Sequence, residues 1–285
     1  MGVFALSNLS ISVSLGTTGA ELLSFRAPDG EELLWQGEKS IWGRRGPVIF
    51  PILGGWPEGY YLCNGEKYTM DKNGFARLKA FAARQTADST VVFTLQSDSS
   101  TFRQYPFDFL LSVKYRITGS ALHVTLRVKN NSDTPMPAGL GLHPGFVWKR
   151  TGEPSRLVFS DPETVQAFRP DGKRYLLMDH ENVLALTRDS FSRGAITMEH
   201  LKSRWVEFHR PDSTWKIRVH CAGFSYFTIW SMATDDAEFV CLEPSTTANT
   251  DGNRLTDRRG IISVPPGGSL TKKTVIELLR KKEVY

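Results

Sequence analysis

Where the chain shows any period, apolar and polar positions alternate with a repeat of two. Ile11, Val13 and Leu15 are separated by serines, and Leu111, Val113, Tyr115 and Ile117 by Ser112, Lys114 and Arg116. Successive side chains of an extended strand point to opposite faces, so this alternation predicts half-buried strands. Leu122, Val124, Leu126 and Val128 resume the pattern after Thr118-Gly119-Ser120, a short polar break that reads as a hairpin turn. Further strands are predicted over 91–95, 215–219, 225–230, 239–242 and 274–279. Helical patterns are few and short. Strands separated by turn signals at this density favour a sandwich of antiparallel sheets.

The 285 residues suffice for one large all-β domain with a substantial core. Prolines are scattered from Pro28 to Pro266, no Pro-, Gly- or Ser-rich linker intervenes, and no repeat of fixed period occurs. One domain over 1–285 is therefore expected, and solenoid and propeller folds are disfavoured.

Composition narrows the class. A chain with 40% hydrophobic and 23% charged residues belongs with soluble globular proteins. No run approaches the roughly 20 apolar residues that span a bilayer. Met1 to Leu15 lacks the features of a secretory signal, and Leu6 stands where a myristoylation motif needs Ser or Thr, so a cytoplasmic protein without a membrane partner is expected. Cys63, Cys221 and Cys241 are odd in number and widely spaced, which argues against a disulfide framework or thiolate metal site and for buried apolar roles. The net charge of +5 is spread among acids and gathers only at Lys272-Lys273 and Arg280-Lys281-Lys282, so no nucleic-acid partner is expected. A monomer or homodimer is anticipated.

Several chemistries lack their motifs. Gly139-Leu140-Gly141 with Gly145 misses the spacing of a dinucleotide loop, and Pro144 would obstruct the helix that loop requires. There is no Walker loop, His-Glu-x-x-His helix, Gly-x-Ser-x-Gly elbow or EF-hand pattern. The six histidines are too dispersed to predict a metal site, and neither metal nor organic cofactor is expected.

Two segments carry candidate chemistry. His143 lies in the apolar, glycine-rich run 136–146, and Pro144 biases it toward extended backbone at a strand end or loop. Imidazole gives and takes protons near neutral pH, although an isolated histidine in such a setting is more often a hydrogen-bonded core residue. Glu243 directly follows the apolar run 239–242, where a charge is costly to bury unless paired or solvated in a cleft. It reads as a general base in a partly dry site or as an ordinary strand-end carboxylate.

Gly141-Leu142-His143-Pro144-Gly145-Phe146, Ser225-Tyr226-Phe227-Thr228-Ile229-Trp230-Ser231 and Phe239-Val240-Cys241-Leu242-Glu243-Pro244 resemble, in order and spacing, successive signatures of the aldose 1-epimerase (galactose mutarotase-like) family. Arg45-Gly46-Pro47-Val48-Ile49-Phe50-Pro51 and Asn73-Gly74-Phe75-Ala76-Arg77 resemble its branch of mutarotase-related proteins, or hexose-6-phosphate epimerases. The likeness runs from the first strands to Val275. It implies a large antiparallel β-sandwich of the galactose mutarotase-like supersandwich type with an active site on the concave face. It also implies an isomerase that interconverts α and β anomers of a hexose or hexose phosphate. The family's catalytic histidine maps onto His143 as general acid and its glutamate onto Glu243 as general base. Arg77, Asn73, Arg45 and Trp230 become candidate substrate contacts, and Trp56 a further aromatic platform. Arg44, Arg45 and Arg77 together can clamp a phosphate. One departure stands out: Asn73 occupies a position where the family usually carries a second active-site histidine, and asparagine has no titrating proton. A carbohydrate-binding or regulatory module with weak or lost catalysis is the alternative this departure raises.

Overall fold

The computed structural model describes residues 2–149, 153–234, 236–249 and 252–281. Its main feature is a sheet of 15 strands paired antiparallel throughout, accompanied by a three-stranded sheet of Val3–Ser7, Ser12–Gly16 and Leu22–Arg26. Helix is confined, among the described residues, to the turn Ser99–Phe102 and three short 3-10 segments. The all-β fold expected from the alternation is the fold observed.

The local reasons are visible strand by strand. In Phe109–Thr118 every second residue from Phe109 to Ile117 is buried, as a period of two requires. This strand meets Ala121–Asn130 in register with Thr118 opposite Ala121, leaving Gly119 and Ser120 as a two-residue turn. Gly119 takes φ +55, the left-handed conformation that such turns need at their first central residue. The remaining predicted strands appear as Thr90–Gln96, Trp215–His220, Tyr226–Trp230, Phe239–Ser245 and Ser269–Arg280. The last of these carries Lys272 and Lys273, whereas Lys282 lies outside the described residues.

The longest hairpin, Ser155–Phe168 with Arg174–Leu186, has no counterpart in the predicted strands. Its register shifts between Val158 and Gln166, so bulges break the alternation that would have revealed it. One apolar cluster runs from Leu6 to Leu278 and joins the small sheet to the large one. Phe4 packs edge-on against Phe93 with ring centroids 5.8 Å apart, and the Tyr115 hydroxyl donates to the Ala20 carbonyl at 2.8 Å.

Candidate active site

Gly141 pairs with Ser245 and Gly145 with Cys241 across the same two chain segments. The register is unbroken between these points, since Leu242 N–H donates to the Pro144 carbonyl at 3.1 Å. His143 therefore stands directly opposite Glu243, on the same face, at cross-strand separation. Their side chains meet, with Nε2 of His143 3.3 Å from Oε1 of Glu243. Glu243 is in turn paired with Thr228, and Thr228 with Thr197, whose hydroxyls lie 3.0 Å apart. Pleating thus assembles a polar row of imidazole, carboxyl and two hydroxyls from four segments distant in sequence.

This row floors a cleft of about 310 Å³, within the roughly 300–1,000 Å³ usual for small-ligand pockets. Trp42, Trp230, Arg44, Lys72, Asn73 and Arg77 line it as well. A larger hollow of about 630 Å³, lined by Leu62, Cys63, Phe107 and Leu255 among others, contains no facing acid–base pair. The Trp42 ring lies 5.1 Å from the imidazole and 5.5 Å from Trp230, which meets the imidazole edge-on. Gly145 makes this wall possible: a Cβ there would come within 2.6 Å of the Trp42 ring.

Electrostatics decide the state of the pair. His143 is 6% exposed and Glu243 3%. Burial pushes the His143 imidazole down to about 3, with the Lys72 and Arg77 charges adding to that direction, and pushes the Glu243 carboxyl well up against a smaller opposing pull from Lys72. Burial thus opposes charge on both partners of the contact. Nδ1 of His143 is buried and has no hydrogen-bond partner.

Asn73 closes the other side. It has φ +66, a left-handed conformation that asparagine tolerates better than most residues. Its Oδ1 accepts from Gly54 N–H at 2.6 Å and its own N–H donates to the Gly54 carbonyl at 2.9 Å. With the oxygen so engaged, the amide Nδ2 is the group left to donate into the cleft. Gly74 follows at φ +71, where a Cβ would collide with the Phe50 carbonyl.

The arginines sort differently from the sequence expectation. Arg77 and Arg44 line the cleft. Arg77 Nε donates to the Lys72 carbonyl at 3.2 Å, and its guanidinium is lowered from its ordinary value by desolvation and by Arg44. Arg44 reaches the Arg77 carbonyl at 3.1 Å and Glu21 at 3.5 Å. Arg45 is a correction: it is absent from the cleft wall, and its guanidinium donates instead to the Gln36 carbonyl at 2.9 Å and the Leu23 carbonyl at 3.4 Å. Trp56 is another, being buried against Tyr61 with ring centroids 4.9 Å apart and outside the cleft lining.

Sequence reasoning missed Lys72, Trp42, Thr197 and Thr228. Thr228 was within reach, because it sits two residues before Trp230 on one strand and so shares its face. Trp42 and Lys72 lie on loops, and no periodicity marks them.

The sequence model of the aldose 1-epimerase family matches residues 3–181, a span that contains His143 and ends before Glu243. Two proteins of Lactococcus lactis subsp. lactis, the plasmid and chromosomal forms of protein LacX, are each 28% identical to this chain, over 96% of it and 98% of their own length. Among solved structures, a galactose mutarotase-like protein from Lactobacillus casei is 26% identical with a TM-score of 0.92, covering 98% of this chain and 100% of that one. A galactose 1-epimerase from Lactobacillus acidophilus shares the fold at a TM-score of 0.74 and 14% identity, covering 98% of this chain and 94% of its own.

Proposed function

The chain belongs to the aldose 1-epimerase family, and on that premise we propose that it interconverts the α and β anomers of a hexose or hexose phosphate, with Glu243 as base and His143 as acid. The observation that carries this reading is the 3.3 Å contact between an imidazole and a carboxyl on the floor of a cleft.

The chemistry is balanced by one proton. Glu243 as carboxylate takes the proton of the anomeric hydroxyl while His143 as imidazolium gives one to the ring oxygen. The C1–ring oxygen bond breaks as C1 becomes a carbonyl, rotation about C1–C2 presents the other face, and reclosure reverses both transfers. After ring opening the pair holds a carboxylic acid and a neutral imidazole, the forms that burial favours. The charged pair that meets a closed sugar is made once, by passing the carboxyl proton to the imidazole across the 3.3 Å contact, and reclosure regenerates it. Sugar hydroxyls and the donors of Asn73 and Thr228 supply the hydrogen bonds that a buried carboxylate needs.

A phosphorylated sugar fits this electrostatic balance better than a free one. Arg44, Lys72 and Arg77 face the cleft, and the fields of Lys72 and Arg77 oppose an imidazolium at His143. A phosphate on these cations would cancel that opposition as well as bind. Isothermal titration is expected to show glucose 6-phosphate bound more tightly than glucose. Replacing Arg77 by Ala should erase most of the difference, roughly 10–100-fold for one charge-assisted contact of about 1.5–3 kcal/mol. Equal affinity for the two sugars would leave the free hexose as substrate.

Asn73 favours one second reading. Without a titrating histidine there, the fold can serve as a sugar-binding module with weak catalysis. Saturable sugar binding with no acceleration of anomer exchange would select it.

A further inference from the structure

Beside the acid–base pair, beneath the cleft lining, lies one buried group that acid–base chemistry leaves idle. Cys241 is two residues before Glu243 on the same strand, and its side chain is fully buried on the same face. One ligand atom each from His143, Cys241 and Glu243 lie within 4.8 Å of one another. We propose that these three side chains form a capture site for a thiophilic divalent cation of the zinc class, and that occupation of the site blocks the cleft. The blocking half rests on the epimerase reading, whereas the binding half does not.

Nitrogen, thiolate and carboxylate are the donor types that zinc selects, and three protein ligands with an open fourth position leave room for water from the cleft. Tetrahedral bonds of about 2.0–2.1 Å to nitrogen and oxygen set those atoms roughly 3.3 Å apart. His143 and Glu243 already have that separation. The sulfur needs to close in by about 1 Å for a bond of about 2.3 Å, a movement within the reach of one side-chain torsion.

Charge supports the same conclusion. The thiol and the carboxyl are both buried, where an unpaired charge is costly. An entering divalent cation displaces one proton from each, so two positive charges arrive and two leave. The dry site keeps its net charge, and affinity rises with pH as the protons become easier to release.

Cobalt(II) titration of the full chain, followed by the near-ultraviolet thiolate-to-cobalt charge-transfer band, tests the site without reference to activity. The band should saturate at one equivalent and persist in Cys221→Ser. In Cys241→Ser it should vanish and cobalt affinity should fall by more than roughly 100-fold, since loss of a group that only hydrogen-bonds to a ligand already costs about 10–100-fold. No band in the wild type, or a band that survives Cys241→Ser, overturns the proposal. Circular dichroism of Cys241→Ser matching the wild type guards against loss through misfolding. In a protein that accelerates anomer exchange, zinc should inhibit reversibly, with chelator restoring the rate and Cys241→Ser resistant; equal inhibition of both forms overturns the blocking half. Failure to accelerate exchange at all refutes the epimerase reading and leaves the cobalt result to decide the metal site.

Discussion

At the residue scale, the His143–Glu243 pair makes the molecule's stability a function of pH with a definite shape. Glu243 has a folded pKa above its unfolded value of 4.5, so unfolding releases its proton and stability is lost as pH rises above that value. His143 has a folded pKa of about 3 against 6.5 unfolded, so unfolding takes up a proton and stability is lost as pH falls below 6.5. Between 4.5 and 6.5 the two proton exchanges oppose each other and the pair's contribution is nearly level. Outside that window each group imposes a slope of up to about 1.4 kcal/mol per pH unit. Glu243→Gln is expected to remove the alkaline slope and melt above wild type at pH 8, while His143→Asn removes the acidic slope. Thermal melts across pH check both, and a Glu243→Gln melt below wild type at pH 8 would contradict the buried neutral carboxyl. Asn73→Ala tests the neighbouring loop. It deletes a buried-side bond to Gly54 and places alanine at φ +66, for a cost of about 1–3 kcal/mol by denaturant titration.

At the scale of strands and turns, legibility followed regularity. Phe109–Thr118 and Ala121–Asn130 are readable because each has one face in the core and one in solvent, and Gly119 supplies the turn. The Ser155–Phe168 hairpin is not, because its bulges shift the period in the middle of each strand. Phe239–Ser245 is buried on both faces, so Glu243 looked like a strand end when it lies inside the strand. His143 and Glu243 were found through motif resemblance, but their meeting depends on a register that no local pattern encodes. Arg44 and Arg45 lie on a loop between strands, where no period tells which side chain faces the cleft: Arg44 does, and Arg45 turns to the Gln36 carbonyl. The Gly145 position tests this element directly. Gly145→Ala should displace Trp42 from the imidazole and reduce catalysis more than sugar binding, measured by comparing anomer exchange with titration calorimetry. An unchanged rate would show that the Trp42 wall is dispensable.

For the whole molecule, the large sheet's role is to bring residues about a hundred positions apart onto one row with little freedom to move. Cross-strand pairing fixes imidazole, carboxyl and hydroxyls by backbone register, while the loops that carry Trp42, Lys72 and Asn73 and the 3-10 turn that carries Arg77 close the rim. Positioning on strands and variation on loops is the arrangement expected where chemistry is shared and substrate differs. The rim cations predict a bulk property too. Binding of a sugar phosphate should weaken as salt is raised, whereas binding of the free sugar should respond little, because only the former depends on charges partly exposed to solvent. Salt-insensitive binding of both would remove the rim from the account.

The most direct test is the relaxation of freshly dissolved α-glucose, α-galactose and their 6-phosphates, followed by polarimetry with wild-type protein and with Glu243→Gln. Acceleration over buffer for at least one sugar is predicted, with the variant slower by roughly 10²–10⁴-fold, the range for loss of one proton-transfer group. Wild-type protein no faster than buffer for every sugar, or a Glu243→Gln variant as fast as wild type, would contradict the assignment of this pair.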